Sequence, residues 1–359
     1  MPLRVGIVGA NAERAWARDA HVPALAVLPQ FSLNAVSART QALAEKAAAA
    51  FGVPRAFGDS LALVRDPEID VVAVTVKVPE HRPIVLAALE AGKHVFCEWP
   101  LGRDAAEAEE MARAAARARG SHVVIGLQAL SAPAVRQAAK LVASGALGTP
   151  QMLRVISPTA GWGPEAPPFY AYLQDKRNGA TLSTIGAGHT IAAMEAVVGP
   201  YTEVDARSTI LYPTVRITGT DERVVRTCPD HLLVLGRHAS GCLSSLEVMG
   251  GQLRMPFRMD LVASAGTLSI TARNPAGGFQ VTNLECQASV PTDPPLPAAP
   301  SLVGPPANVA ETYARFADDI RAGTRTLPDF DLALRLTRVL DAIEAASEQG
   351  RRQRIAHGS

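Results

Sequence analysis

The sequence predicts an α/β N-terminal half with a doubly wound parallel sheet, joined to a C-terminal α+β half with a large, mainly antiparallel open sheet. Three observations carry this. Through residue 127, apolar runs of strand length alternate with alanine-rich stretches of helical length. Those runs are apolar throughout rather than every second residue, as in strands covered by helices on both faces. After residue 128 the strand-like segments lengthen, alternate polar with apolar, and are separated by glycine turns.

The first-half strands fall at 3–9, 31–38, 69–76, 93–98 and 122–127. Helical stretches lie between them at 14–28, 40–52, 79–92 and 104–120, and Gly52, Gly92 and Gly120 stand where a left-handed helix cap is expected. In the second half a helix at 133–148 precedes strands at 151–157, 231–251, 258–272 and 278–287, and two helices near 309–322 and 331–348 follow. The stretch 289–308 is too rich in proline for a helix or a central strand and reads as an extended surface loop. Arg351, Arg352 and Arg354 read as a solvated basic end. The expected division is residues 1–127 as a dinucleotide-binding Rossmann domain and 128–359 as a substrate-binding and oligomerisation domain.

The 359 residues are 48% hydrophobic and 19% charged, with a net charge of +1 and a pI near 7.8. That balance lacks the one-sided positive field that nucleic acid or an anionic membrane surface selects. Four cysteines without CxxC spacing read as reduced thiols of a cytoplasmic protein. No apolar run reaches 18 residues, so no membrane span is expected, and the strand pattern starts too early for a signal peptide.

The chemistry is expected where strands end. The first strand runs into Gly-Ala-Asn-Ala-Glu-Arg (9–14). A dinucleotide fold uses glycines here to turn tightly and bring backbone against the pyrophosphate at a helix start. Gly9 is present, while Asn11 and Arg14 occupy the next two glycine positions, with Ala12 between them. Asparagine tolerates a left-handed turn, and Arg14 either adds charge toward phosphate or is solvated. The second strand ends in Ser37, Arg39 and Thr40, with no acid to hold a ribose 2′-hydroxyl. A cation with hydroxyls suits a 2′-phosphate, so NADP(H) is favoured over NAD(H); the alternative is an ordinary surface arginine. Lys77 follows the strand at 69–76, as a functional ammonium or an exposed side chain. The strand at 93–98 ends in Glu98-Trp99-Pro100, an acid, a large aromatic and a residue that cannot donate to a ladder.

The segment from Val76 to Gly102 resembles the glucose–fructose oxidoreductase / inositol dehydrogenase (Gfo/Idh/MocA) family. That family has a threonine-proline…histidine segment, a helix ending in alanine and glycine, and a strand ending Glu-Lys-Pro. Trp99 stands where the family has lysine. Glu-Trp, residues 9–25, Gly-Trp-Gly (161–163), Gly-His-Thr-Ile (188–191) and 227–236 are similar to the branch containing the fungal galactose-regulon repressor and its dehydrogenase-like bacterial relatives. The resemblance implies a cofactor lined by Val76, Pro79, His81, Glu98, Trp99 and Gln128, a Glu98–Pro100 strand end near the nicotinamide, and a commonly cis bond before that proline. It also implies that His189 matches the family's cleft histidine, whereas Thr184 and Ile185 lie where an acid is expected. A histidine of ordinary pKa near 6.5 can act as a general base; His189 is otherwise a hydrogen-bond partner at a helix start. Trp162 and Tyr170 are candidate platforms for a sugar ring, or lid or interface residues.

These features point to an NAD(P)-dependent oxidoreductase acting on a carbonyl or alcohol carbon of a sugar or cyclic polyol. Lys77 and His189 are the proton-handling candidates, and the expected assembly is a homodimer or homotetramer. The alternative is a non-catalytic, dinucleotide-dependent sensor that binds a regulatory protein.

Overall fold

The computed structural model describes residues 1–252, 254–272, 277–292, 299 and 301–356. The chain divides into two compact units, Met1–Leu127 with Pro297–Leu334, and Gln128–Leu296 with Arg335–Ser359.

Six parallel strands form the sheet of the first unit: β1 (Leu3–Val8), β2 (Phe31–Ser37), β3 (Arg55–Phe57), β4 (Val71–Val74), β5 (His94–Glu98) and β6 (Val123–Gly126). Their order is β3-β2-β1-β4-β5-β6, the doubly wound order of a dinucleotide fold. Val74 pairs with Cys97 and Glu98 with Gly126, so the strands end together along one edge.

Helices α1 (Val22–Ala26), α2 (Gln41–Phe51), α3 (Ser60–Arg65), α4 (His81–Glu90) and α5 (Ala105–Arg117) connect the strands. Side chains cap the starts of α2, α3 and α5: Thr40 accepts from Leu43 N, Asp59 from Leu61 N and Asp104 from Glu107 N. Gly52 ends α2 in the left-handed conformation. Gly120 does not cap α5, which stops at Arg117 with Ala118 as its C-cap.

The first helical stretch differs from expectation. Asn11 to Ala15 are irregular, and a π-helical turn, Ala17–His21, precedes α1. Ala15 has φ of 150°, in the region that disfavours a Cβ.

α6 (Pro133–Ala143) and α7 (Gly188–Val198) belong to the second unit. α8 (Pro305–Ala322) returns to the first, beyond the boundary expected at residue 127. Its Val309, Tyr313 and Phe316 pack with Val5, Phe31, Phe96 and Val124. The apolar stripe of α8 thus covers the sheet that residues 1–127 leave open. α9 (Phe330–Gln349) follows. Of the proline-rich stretch, 293–298 and 300 lie outside the described residues, and Pro305 and Pro306 occupy the first turn of α8, where a missing N–H costs little.

The second unit carries an eight-stranded sheet. It contains β7 (Pro150–Pro158), β9 (Tyr201–Thr209), β12 (His231–His238), β13 (Leu243–Met249), β14 (Phe257–Ala263), β15 (Gly266–Ala272), β16 (Glu285–Ala288) and β17 (Gln353–Arg354). The order is β16-β15-β14-β7-β13-β12-β9-β17, and only β7 with β13 runs parallel. β8 (Glu165–Ala166), β10 (Thr214–Ile217) and β11 (Arg223–Val225) form a small separate sheet. Phe279–Val281, expected within a strand, is a 3-10 turn, and Arg354 pairs with Glu203 at the sheet edge rather than lying in a free tail.

Along β12, Leu232 and Val234 are buried while Leu233 and Leu235 are exposed. The same side displays Met152 and Leu243, which pair directly. This open face holds a groove of about 490 Å³ floored by Ile156, Leu233 and Leu235 and edged by Arg154, Arg207 and Glu247.

Candidate functional site

The C-terminal edge of the parallel sheet gathers most of the expected cofactor residues. Gly9 has φ of 100°, and a Cβ there would lie 2.8 Å from Val76 Cγ1 and 2.9 Å from Val76 N. Only glycine lets the ends of β1 and β4 approach this closely. Its N–H and that of Ala10 donate to Ser37 O. Asn11 Oδ1 accepts from the N–H of both Glu13 (2.9 Å) and Arg14 (3.2 Å), so the side chain closes the turn that glycines usually make. Ala12 lies within that turn.

At the end of β2 the three expected residues separate. Ser37 is fully buried, and its hydroxyl faces Ser60 Oγ at 3.1 Å. Thr40 caps α2 through Oγ1. Arg39 is exposed, with no ion pair among the described residues. Of the three, Arg39 and Thr40 are exposed.

β4 stops at Val74, so Lys77 lies beyond the strand, at the exposed start of the 3-10 turn Val78–Glu80 that contains Pro79. His81 opens α4 and is buried. Its Nε2 is 3.0 Å from Val76 O and its Nδ1 3.0 Å from Pro100 O. Burial holds its pKa below the ordinary histidine value. The ring therefore ties the turn after β4 to the turn after β5. The Trp99–Pro100 bond is cis, and Trp99 is buried. Glu98 keeps some exposure at the strand end and meets His21 Nε2 at 2.9 Å. His21 lies within the stretch 9–25 that carries the resemblance, but no sequence pattern marks it as a partner of Glu98.

The second unit holds the remaining candidates. Gln128 is buried at the start of the 3-10 turn Gln128–Ser131. Trp162 is buried with φ of 58°, uncommon for a bulky residue and often found at functional sites. Its indole N–H donates to Leu173 O, and its backbone packs where a Cβ on Gly250 would lie 2.8 Å from Trp162 Cβ. Tyr170 is exposed and meets Phe169 at 4.4 Å between ring centroids. Of the two aromatics, only Tyr170 presents a face to solvent.

A π-helical turn, Leu182–Ala187, leads into α7. Thr184 forms a reciprocal capping box with Thr181 and donates to Gly179 O. His189 follows, buried, with no hydrogen-bond partner for Nδ1 among the described residues. Burial drives its pKa to about 3, so the imidazole is neutral at pH 7 and a weaker base than a solvated histidine. Asp230 of the 227–236 motif is fully buried in an ion pair with Arg226. His231 pairs with Glu247 across neighbouring strands.

Residues 3–126 match the oxidoreductase family with an NAD-binding Rossmann fold (GFO_IDH_MocA), and residues 133–272 match the Gal80p C-terminal domain. Residues 3–126 thus form a Gfo/Idh/MocA-type Rossmann domain, and residues 133–272 a Gal80-like domain. Dehydrogenase aclE of Aspergillus oryzae is 34% identical over 229 residues, 61% of each protein, so the match spans less than two thirds of that relative. The galactose/lactose metabolism regulatory protein GAL80 of Saccharomyces cerevisiae is 29% identical over 79% of this chain and 69% of its own. A super-repressor mutant of Gal80p from the same yeast shares the fold, with a TM-score of 0.87 at 23% identity over 99% of this chain and 98% of that one. The trans-1,2-dihydrobenzene-1,2-diol dehydrogenase of Oryctolagus cuniculus is 39% identical over 37% of this chain and 41% of its own.

The Gfo/Idh/MocA unit fits a dinucleotide on its own geometry. The Gly9 cradle leaves backbone rather than side chain at the end of β1, the Asn11 turn follows, and Arg39 offers a cation at the end of β2. No group of three or more His, Cys, Asp or Glu among the described residues is placed to hold a metal ion. No helix among them is long and apolar enough to cross a membrane.

Proposed function

We propose that this protein is an NAD(P)-dependent oxidoreductase acting on a CH–OH or carbonyl carbon of a sugar or cyclic polyol, with NADP(H) favoured. One observation supports this above the others: Gly9, Arg39 and Lys77 follow the C-terminal ends of β1, β2 and β4, and Glu98 ends β5, along one edge of the parallel sheet. The bound dinucleotide would supply the hydride-accepting ring. Arg39 selects the phosphorylated ribose. Lys77 presents an ammonium in place of the lysine that Trp99 has displaced, and stabilises negative charge on the substrate oxygen. His189 contributes a neutral imidazole, and Trp162 and Tyr170 shape the substrate end. The similarity to a diol dehydrogenase favours a vicinal hydroxyl substrate. Four free cysteines, three of them buried, suit the reducing cytoplasm.

A second reading rests on two substitutions. With Trp99 where the family has lysine, and Thr184 spent on a cap, the protein is a dinucleotide-dependent sensor that binds a regulatory protein. Its Gal80-like domain supports that reading. Incubation with NADP+ and NAD+ across a panel of aldoses, cyclitols and cyclic diols, followed at 340 nm, separates the two. Turnover of any member supports the oxidoreductase, and tight dinucleotide binding without turnover supports the sensor.

A further inference from the structure

The apolar core of the first unit encloses a three-membered polar chain. His21, on the π-helical turn Ala17–His21, has no solvent exposure. Its Nδ1 lies 2.8 Å from the Tyr313 hydroxyl on α8, and its Nε2 lies 2.9 Å from Glu98 Oε1 at the end of β5. Phe96 meets the imidazole edge-on with centroids 5.0 Å apart, and Tyr313 does so at 5.6 Å. In a close-packed core the ring cannot turn without displacing both.

The protons in this chain have assignable places. Burial pushes the Tyr313 hydroxyl well above the usual tyrosine range, so it stays a phenol. His21 Nδ1 is its one partner among the described residues. The phenol therefore donates to Nδ1, which leaves the imidazole proton on Nε2. That N–H donates to the Glu98 carboxylate. Of the three side chains only Glu98 reaches the surface, with 14% of it exposed. It lies across Gly126, where a Cβ would stand 2.8 Å from both carboxylate oxygens. The missing side chain at Gly126 is the space that Glu98 fills.

In a sheet of this order the pyrophosphate sits at the end of β1 and the adenosine ribose at β2, so the nicotinamide half extends toward β4 and β5. We propose that Tyr313 and His21 are positioning residues that fix Glu98 as an oriented carboxylate at the nicotinamide end of the sheet, so that the protein binds the oxidised dinucleotide in preference to the reduced one. The oxidised ring carries a positive charge and the reduced ring none, and a fixed, partly desolvated carboxylate distinguishes them. This rests on the dinucleotide-binding reading, but not on catalysis: a sensor with this carboxylate would report the redox state of the pool.

Isothermal titration of the full chain with NAD+, NADH, NADP+ and NADPH tests it. Glu98→Gln keeps an acceptor for His21 and removes the charge. It is expected to lower the ratio of oxidised to reduced affinity about tenfold. Tyr313→Phe keeps the ring and removes the hydroxyl that sets the imidazole proton, and is expected to lower the ratio about threefold. A purely structural role would weaken both redox forms alike and leave the ratio unmoved. An unchanged ratio in Glu98→Gln overturns the proposal, and if that variant does not fold, an unchanged ratio in Tyr313→Phe does so. A parent protein that binds none of the four overturns the dinucleotide-binding reading itself.

Discussion

Arg226 and Asp230 meet at 2.5 Å with neither side chain exposed. Arg226 also donates to Gln174 Oε1 at 2.9 Å and Gly163 O at 2.7 Å, and Asp230 accepts from the N–H of Leu211 and Tyr212. Two charges thus hold the Gly161–Gly163 turn, the Pro168–Gln174 helix and the chain after β9. Asp230→Asn leaves a buried guanidinium uncompensated, at an expected cost of about 3–5 kcal/mol. Replacing both residues by apolar ones should not restore stability fully, because two backbone N–H groups would lose their acceptor. Urea unfolding of the single and double variants gives both values.

Cofactor choice is expected to turn on Arg39. The parent is expected to bind NADP(H) more tightly than NAD(H). Arg39→Ala should remove most of the difference, about 1.5–3 kcal/mol for a charge-assisted hydrogen bond. Equal affinities of the parent for both cofactors, by titration, contradict this.

Lys77→Met should lower turnover about a hundredfold while NADP(H) affinity stays near that of the parent. Single-turnover rates with a substrate from the 340 nm panel provide the comparison. If the variant keeps the parent rate, Lys77 is a surface residue.

Acid should weaken the fold through histidines whose full or partial burial lowers their pKa. Burial holds His189 near a pKa of about 3 and His94 and His238 near about 4. The unfolded chain takes up protons near 6.5 that these folded groups refuse, so stability is lost as pH falls below that value. For His189 alone the loss between pH 7 and pH 5 is about 2 kcal/mol. His189→Asn is expected to lose that much less over the same interval in denaturant titrations. Equal losses would show that His189 does not stay neutral in the fold.

The open face of the large sheet should join copies of the chain. Leu235 is 62% exposed, and Leu233, Leu243 and Met152 share its side. Soluble monomers rarely leave such a patch uncovered. The expected dimer or tetramer should dissociate in Leu235→Glu, seen as a lower sedimentation coefficient at micromolar concentration. A parent that sediments as a monomer at that concentration removes the prediction.

Strand ends were legible from the sequence because apolar runs and breakers mark them locally. Gly9, His81, Glu98 and the Trp99–Pro100 turn all fall where that pattern puts them. Partners distant in sequence leave no such mark. His21 and Tyr313 are 292 positions apart, and neither sits in a motif that names the other. Ser37 shows a different limit: a strand-end serine can face out to ligand or inward, and only packing decides, here toward Ser60. His189 shows a third, since residue type gives a proton acceptor but burial sets its strength.

The return of residues 297–334 to the first unit also has a consequence on the ribosome. The sheet of that unit is complete in the nascent chain once residue 127 has emerged, but Tyr313 and Phe316 are not yet made. At roughly 5–20 residues per second, its core stays uncovered for on the order of ten to forty seconds. The domain translated first is therefore among the last to close. Chains stalled before residue 297 should show this unit still open to protease, and protection at that stage would mean that it closes without α8.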